Sequence, residues 1–491
     1  MKDKLSRLLS LGEIESSERL QTVFWAIWSL LIYDMTALSV GPARNGETPT
    51  CWEHIPNCSS LIPTLTLPNS YLYTTMIAAL LSFLFGAAYF ARRKIWIHAH
   101  LLLLIVFLWK FTWNMLIFDY GTSNFDYFLF IPALIFFFSS RKLEQMRFLW
   151  AALYLFAALV KTDESWIAGT YFSSTITGLP LFSDALIPFI TNLTILFELI
   201  CSVGLIAKNQ RWAKFSLWAW TAFHLYSSIM VGFFYPVRCL AFLWIIFGSN
   251  KKNHKERAQE RTPHHLSLCG TLVMLYLSVA NLLPRSISPY PKETFEAMNY
   301  GFHMFDANHQ CLFRFKTFDS QGELIKDIEI GSSHPMFRCY PQWVLQKTKR
   351  LNCPDHSTTD IQRVEWQMLH SKNGGPFFET VNTKNACEIE FLPFRRNKWI
   401  RTEADGAPLI GYPEKNAFYS QGMGPSPIIH PSPQIELSPF QNWIVKHLYF
   451  FQTFYWLLWS GLYFHLLYLG FRSRIDYTLI RRFLKIESDK V

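Results

Sequence analysis

The chain lacks the short motifs that carry chemistry by themselves. It has no Gly-rich phosphate loop, no HExxH metal motif and no nucleophile elbow. This sets aside the P-loop nucleotide enzymes, the zincin proteases and the α/β-hydrolases. The spacing of its cysteines gives no recognisable zinc pattern. Charge is sparse, at 17% of residues, and is gathered mainly into one block at about 285 to 445. A soluble protein of 491 residues would show polar stretches throughout. The period-two alternation of a membrane barrel is absent. No small-residue cleavage site follows the first apolar run, which also carries Asp34, so that run reads as a first membrane helix rather than a removed signal peptide. No internal repeat is visible, which argues against a transporter.

What is present is hydrophobic. Half of the residues are apolar and 17% are aromatic. Outside the polar block the chain is a series of apolar runs about 17 to 25 residues long, the length that spans a bilayer core. Backbone groups in lipid must be satisfied within the segment, so these runs are expected to be helices. Ten are expected, at about 22–40, 71–91, 95–116, 125–139, 146–161, 184–207, 212–230, 232–248, 265–284 and 446–471. The net charge of +10 comes from Lys and Arg in the short loops between them, such as Arg92-Arg93-Lys94, Arg141-Lys142 and Lys251-Lys252. A ten-helix count puts every basic loop on one side, as the positive-inside rule requires. The charge is therefore an orientation signal, and no nucleic-acid partner is expected.

The fold class expected is an α-helical polytopic membrane protein of about ten transmembrane helices, with a mostly β extracytoplasmic domain before the last helix. The domains read as a helical domain at 1–285, an outer domain at 286–445, and a last helix with a basic tail at 446–491. Both termini are expected in the cytoplasm. The compact architecture and the absence of an eukaryotic retention signal point to a bacterial inner membrane.

In the outer block, Cys311-Leu-Phe-Arg-Phe-Lys-Thr-Phe before Asp-Ser-Gln-Gly, and Val364-Glu-Trp-Gln-Met-Leu before Asn373-Gly-Gly-Pro, read as strands and hairpin turns. The Pro-, Gly- and Ser-rich stretch from Gly422 to Pro439 reads as a linker. Six cysteines, Cys51, Cys58, Cys311, Cys339, Cys353 and Cys387, fall on the outer side, and an even number there suits disulfides of undetermined pairing. Cys201, Cys239 and Cys269 lie in membrane runs and read as packing residues.

The stretch with most chemical content is Tyr154-Leu-Phe-Ala-Ala-Leu-Val-Lys161-Thr-Asp-Glu-Ser-Trp166-Ile-Ala-Gly169. An ionisable residue at a membrane-helix end is either a functional group or a lysine snorkelling to the headgroups. Desolvation disfavours an ammonium and frees the amine to act as a general base. Asp34, Lys110, Asn114, Glu198, His224 and Arg238 also interrupt the apolar runs. Glu198 could pair with Arg238 or Lys110, and His224 could be a packing residue or a second polar contributor. The segment 162–182, with Asp163, Glu164 and a turn at Gly178-Leu-Pro180, reads as an outer loop that is partly re-entrant.

Ala157-Ala-Leu-Val-Lys161 followed by Asp163, Trp166 and Gly169 resembles the lysine motif of the vitamin K-dependent γ-glutamyl carboxylase family, whose membrane part is shared with bacterial horizontally transferred transmembrane domain proteins. The likeness continues in order through Glu198, Phe223-His224, Gly232-Phe and Tyr300-Gly-Phe-His-Met304 to the strand at Phe313. It implies Lys161 and His224 as catalytic residues, with Glu198 and Trp166 at the cofactor and Glu198 holding the bundle or the lysine. It also implies reduced vitamin K or a related quinol as cofactor, with no metal, and a peptide or protein glutamate as the carboxylated substrate. The departures are Ala158 for the motif glycine, Val160 for a lysine, a shorter outer domain, and Phe125 where the family has a histidine needed for carboxylation. A quinol-oxidising protein without carboxylation, or a non-catalytic assembly or receptor protein, are the alternatives. An enzyme predicts an apolar chamber beside Lys161 open to the outer domain. A transporter predicts a path across the membrane, and a receptor an exposed Lys161.

Overall fold

A computed structural model describes residues 9–45, 71–116, 124–172, 178–231, 234–248, 266–297, 300–301, 309–334, 339–353, 361–411 and 437–471. Among the described residues, ten helices of 14 residues or more lie where the apolar runs place them: α1 (Glu18–Asn45), α2 (Tyr71–Arg92), α3 (Trp96–Leu116), α4 (Asn124–Phe138), α5 (Lys142–Val160), α6 (Ile187–Gly204), α7 (Gln210–Val231), α8 (Phe234–Phe247), α9 (Leu268–Ile287) and α10 (Leu448–Phe471). Among the described residues, five helices are long and apolar enough to cross a bilayer: α2, α3, α5, α6 and α9. α4 and α8 are apolar but shorter. This is the plan of a helical membrane protein.

α5 is the hub. It is apolar all round from Phe148 on, and such a helix belongs inside a bundle. All but two of its residues are buried, and α4, α6, α8, α9 and α10 pack around it. Its first turn begins on Lys142, four residues before the apolar run suggests. The Lys142 ammonium is fully buried but donates to the carbonyls of Phe136 (2.7 Å) and Ser139 (2.8 Å). The Glu13 carboxylate meanwhile accepts from the first backbone N–H groups, those of Arg141 and Lys142. An acidic group at a helix N-terminus suits its dipole.

The polar block forms one antiparallel sheet of order β2-β1-β3-β4-β5, with β1 at His309–Phe318, β2 at Leu324–His334, β3 at Arg363–Lys372, β4 at Phe377–Thr383 and β5 at Leu409–Gly411. The turn after β3 has φ of 52° at Asn373 and 71° at Gly374, closed by Gly375 N–H to the Lys372 carbonyl at 3.0 Å. Positive φ at both central positions is the geometry that an Asn-Gly pair favours. A helix at Pro341–Asn352 packs against the sheet, an element not expected from the sequence. It is held at both ends by disulfides: Cys339 joins Cys311 of β1, and Cys353 joins Cys387 beyond β4. Cys51 and Cys58 lie outside the described residues, as do the basic loop at 251–261 and most of the expected linker. Pro439 does not belong to a linker; it opens a short helix, Pro439–Lys446, capped by Ser438.

On the sheet, His309 Nδ1 and His370 Nε2 lie 3.0 Å apart, both rings buried against Phe295. Burial, with the charges of His309 and Lys372 behind it, holds His370 well below the ordinary imidazole range. The native domain keeps this imidazole neutral, whereas the unfolded chain takes a proton below about pH 6.5. The stabilisation is therefore present above that pH and lost as pH falls below it, by about 1.4 kcal/mol per unit. Thermal melting of the sheet followed by near-UV circular dichroism should fall more steeply between pH 7.5 and 5.5 in the wild type than in His370→Gln. Equal slopes would refute this account.

Candidate functional site

The site begins where α5 ends. Lys161 is the C-cap of α5, and its side chain turns inward rather than toward the headgroups, at 3% exposure. The last carbonyls of α5 are met by two other cations: Arg285 Nη2 donates to the Leu159 carbonyl at 3.2 Å and Lys292 Nζ to the Val160 carbonyl at 3.2 Å. Cations at a helix C-terminus are favoured by its dipole. Lys292 also pairs with Asp163. Asp163 in turn caps the short helix Glu164–Ile167, accepting from Ser165 N–H at 2.7 Å. The motif aspartate therefore anchors the loop; it does not reach the lysine amine.

The segment after Lys161 is not an exposed loop: Thr162, Ser165, Trp166, Ile167 and Ala168 are all buried, and it packs into the bundle before returning to α6. Gly169 makes this return possible. Its φ is +72°, and a Cβ there would lie 2.9 Å from Ile187 Cγ2 and 3.0 Å from Pro188 N. Only glycine combines that backbone with that approach. Asn192 of α6 then donates to the Ile167 carbonyl at 2.7 Å and accepts from Tyr455 of α10 at 2.6 Å.

Three turns into α6, Glu198 faces Lys161. Nζ lies 2.7 Å from Glu198 Oε2 and 3.3 Å from the Ala157 carbonyl, and 5.3 Å above the Trp166 ring. The partners expected from the sequence, Arg238 and Lys110, are elsewhere. Lys110 faces Asp34 at 3.9 Å and Asp126 at 3.6 Å, and Arg238 faces Asp34 at 3.6 Å. Hydropathy orders polar residues along helices but does not say which faces meet, so it could not choose between these cations and Lys161.

The pair stands in the wall of a chamber of about 1010 Å³. α5 contributes Tyr154, Ala157 and Lys161; α6 and α7 form the long apolar sides. Leu193 of α6 and Ile229 of α7 line the chamber and are 49% and 63% exposed, so it opens sideways between these helices on the outer surface of the bundle. A strap at Leu179–Phe182 covers one end, its Pro180 carbonyl accepting from Tyr226 Oη at 2.6 Å. No described residue of the sheet lines the chamber, so the opening toward the outer domain that the enzyme reading predicts is not found among the described residues. Instead the sheet grips the lysine segment from outside, with Asn373 donating to Ser165 Oγ at 2.8 Å.

Of the four site residues read from the sequence, all line this chamber: Lys161, Trp166, Glu198 and His224. His224 is hydrogen-bonded elsewhere than to the lysine pair: its Nε2 lies 2.7 Å from Tyr154 Oη. Tyr154 and Trp220, which stack at 3.7 Å, were not singled out by sequence. The available signal was spacing, since Tyr154, Ala157 and Lys161 share one face of α5. The family's remaining marks, Gly232-Phe and the residues from Phe302 to Asn308, lie outside the described residues, and nothing is described of the Phe125 side chain. Among the described residues no cluster of His, Cys, Asp and Glu has the arrangement of a metal site.

The fold and site define a helical membrane protein with a laterally open apolar chamber and a buried lysine–glutamate pair. Comparison with protein-family models, curated proteins and solved structures finds no match.

Proposed function

We propose that the chain is a ten-span membrane enzyme of the γ-carboxylase-like type, with both termini in the cytoplasm of a bacterial inner membrane. It oxidises a lipid-soluble quinol to its epoxide and couples that oxidation to carboxylation of glutamate in a peptide. The observation that carries this reading is the Lys161–Glu198 pair, at most 3% exposed, in the wall of an apolar chamber whose rim lies between α6 and α7. Apolar walls suit a ring and its tail, and a lateral rim suits a ligand that arrives through lipid. A reduced quinone held there supplies an ionisable hydroxyl and the electrons that oxygen accepts.

The protein's part is proton management beside an apolar-walled chamber. Lys161 Nζ and Glu198 Oε2 are close enough to share a proton. With that proton on Glu198, the neutral amine at Nζ is a base. Once Nζ has accepted a proton, the new ammonium stabilises negative charge at the same position, where low dielectric strengthens the attraction. The Trp166 ring face adds to the stabilisation of the cation. A peptide would approach by the sheet, where a cavity of about 260 Å³ lined by Glu164, His370, Lys372 and Arg401 adjoins the lysine segment. Phe125, standing where the family has its carboxylation histidine, favours a second reading in which quinol oxidation proceeds without carboxylation.

The test uses purified protein in lipid with reduced vitamin K, oxygen, labelled bicarbonate and a glutamate-containing peptide, for wild type and Lys161→Ala. Epoxide and incorporated label, both absent in the variant, are expected. Epoxide without label would favour the second reading. Neither product from a well-folded wild type would sink the quinol assignment.

A further inference from the structure

The short helix that leads into α10, Pro439–Lys446, turns an aromatic face outward. Phe440 and Trp443 are 47% and 48% exposed, and their rings stack at 6.1 Å with 8° between planes. Trp443 also lies 4.7 Å from the His447 ring and meets Phe451 of α10 edge-on at 5.9 Å. The row continues onto α10, where Tyr449 is 83% exposed and Phe450 68%. Lys446 stands one turn beyond Trp443, on the same side of the helix. It is exposed and has no ion pair among the described residues.

The other side of this helix is fixed by packing, which sets the direction of the aromatic face. Ile444 is buried, and Ser438 and Gln441 form a capping box at the first turn. Gln441 Nε2 also donates to the Ala168 carbonyl at 3.1 Å. Ala168 belongs to the buried segment that follows Lys161 and precedes the close approach at Gly169. The neighbouring Ile167 carbonyl is held by Asn192, which accepts from Tyr455 of α10. Two consecutive carbonyls of the lysine segment thus depend on the helices at the end of the chain.

We propose that this aromatic face is a membrane surface at headgroup level, that it takes anionic phospholipid, and that it braces the lysine segment from the lipid side. Tryptophan and tyrosine gather where a bilayer meets water, because their rings are apolar and their N–H and O–H tips are polar. The patch runs on into the outward face of α10, so it extends a surface that the ten-span reading gives to lipid. The unpaired Lys446 ammonium beside the rings complements a phosphate. A lysine near an anionic membrane surface adds attraction to it. Lipid seated on Phe440 and Trp443 holds the helix, and Gln441 carries that hold to Ala168. The proposal rests on the ten-span part of the reading above and not on the chemistry of the chamber.

The experiment places the photoreactive residue p-benzoylphenylalanine in the full-length protein, either in place of Trp443 or in place of Leu457, a 69% exposed residue near the middle of α10. Each protein is illuminated in nanodiscs of equal parts phosphatidylglycerol and phosphatidylcholine, and adducts are read by mass. The probe at Trp443 is expected to add phosphatidylglycerol about fivefold over phosphatidylcholine, and Lys446→Gln should bring that ratio close to one. The probe at Leu457 should add either lipid. Hydrogen exchange at Ile167–Gly169 should be slower with phosphatidylglycerol than in phosphatidylcholine alone, and Gln441→Leu should lose that difference. A cross-linked pair of chains at Trp443, or no lipid there while Leu457 labels, overturns the membrane surface and leaves the ten-span reading standing. No lipid at either position overturns both. A lipid adduct at Trp443 without preference refutes the assignment to anionic lipid, and exchange that ignores phosphatidylglycerol refutes the brace.

Discussion

Lys161→Arg is expected to leave the protein folded and to lower quinol oxidation by about 10²–10⁴-fold, the range general-base catalysis supplies. The choice of arginine separates two roles that alanine confounds. Lys161 and Glu198 are 2.7 Å apart and almost fully buried. Deleting one partner of such a pair costs about 3–5 kcal/mol because the other charge is left uncompensated. Lys161→Ala could therefore lose activity simply by loosening α5 from α6. Arginine keeps a cation opposite Glu198, and the chamber beside it has room for the longer side chain. It cannot, however, give up its proton. If Lys161 acts only as a fixed positive charge, Lys161→Arg retains most of the activity. If it is the base, the variant melts within a few degrees of wild type and turns over little or no quinol. Epoxide formation against thermal melting, both in the same lipid, decides between them.

How much of this was legible in the sequence depends on which dimension is asked for. Position along the chain was legible, because apolar runs report it, and a helix occurs at each of the ten expected places, five of them long and apolar enough to cross a bilayer. Rotation about each helix was not. Glu198 was equally free to meet Lys110, Arg238 or Lys161 until the buried segment at 162–172 and the close approach at Gly169 fixed how α6 sits on α5. Lys142 was read as a loop cation, yet it is buried because the carbonyls of Phe136 and Ser139 receive its protons. Tyr154 was passed over because a tyrosine in an apolar run reads as packing; only its contact with His224 gives it a further meaning. On the sheet, the Asn373-Gly374 turn was legible from local chemistry. The disulfides were legible as a likelihood but not as pairs, since pairing depends on which ends of the 341–352 helix meet which strands.

The other large effect is expected from Asp34→Asn, far from the chamber. Asp34 on α1 lies between Lys110 of α3 at 3.9 Å and Arg238 of α8 at 3.6 Å, while Lys110 also faces Asp126 of α4 at 3.6 Å. Two acids and two cations thus draw four helices together near their expected outer ends. Their side chains are only 9–13% exposed, so the charges are desolvated and poorly screened. The substitution is nearly isosteric, so it removes charge and little packing. It removes the carboxylate that Arg238 faces and leaves Lys110 with Asp126, and neighbouring cations repel in a low dielectric. A loss of about 3 kcal/mol is expected, at the lower end for a broken buried pair because these groups are not fully enclosed. Melting in detergent should fall accordingly, with α1 and α8 the first helices to gain hydrogen exchange. The double variant Asp34→Asn with Arg238→Met should recover part of the loss, since the Lys110–Asp126 pair at 3.6 Å is then kept and the cation that faced Asp34 is gone. If Asp34→Asn alone melts like the wild type, the four charges are not coupled and these helices are held by apolar packing alone.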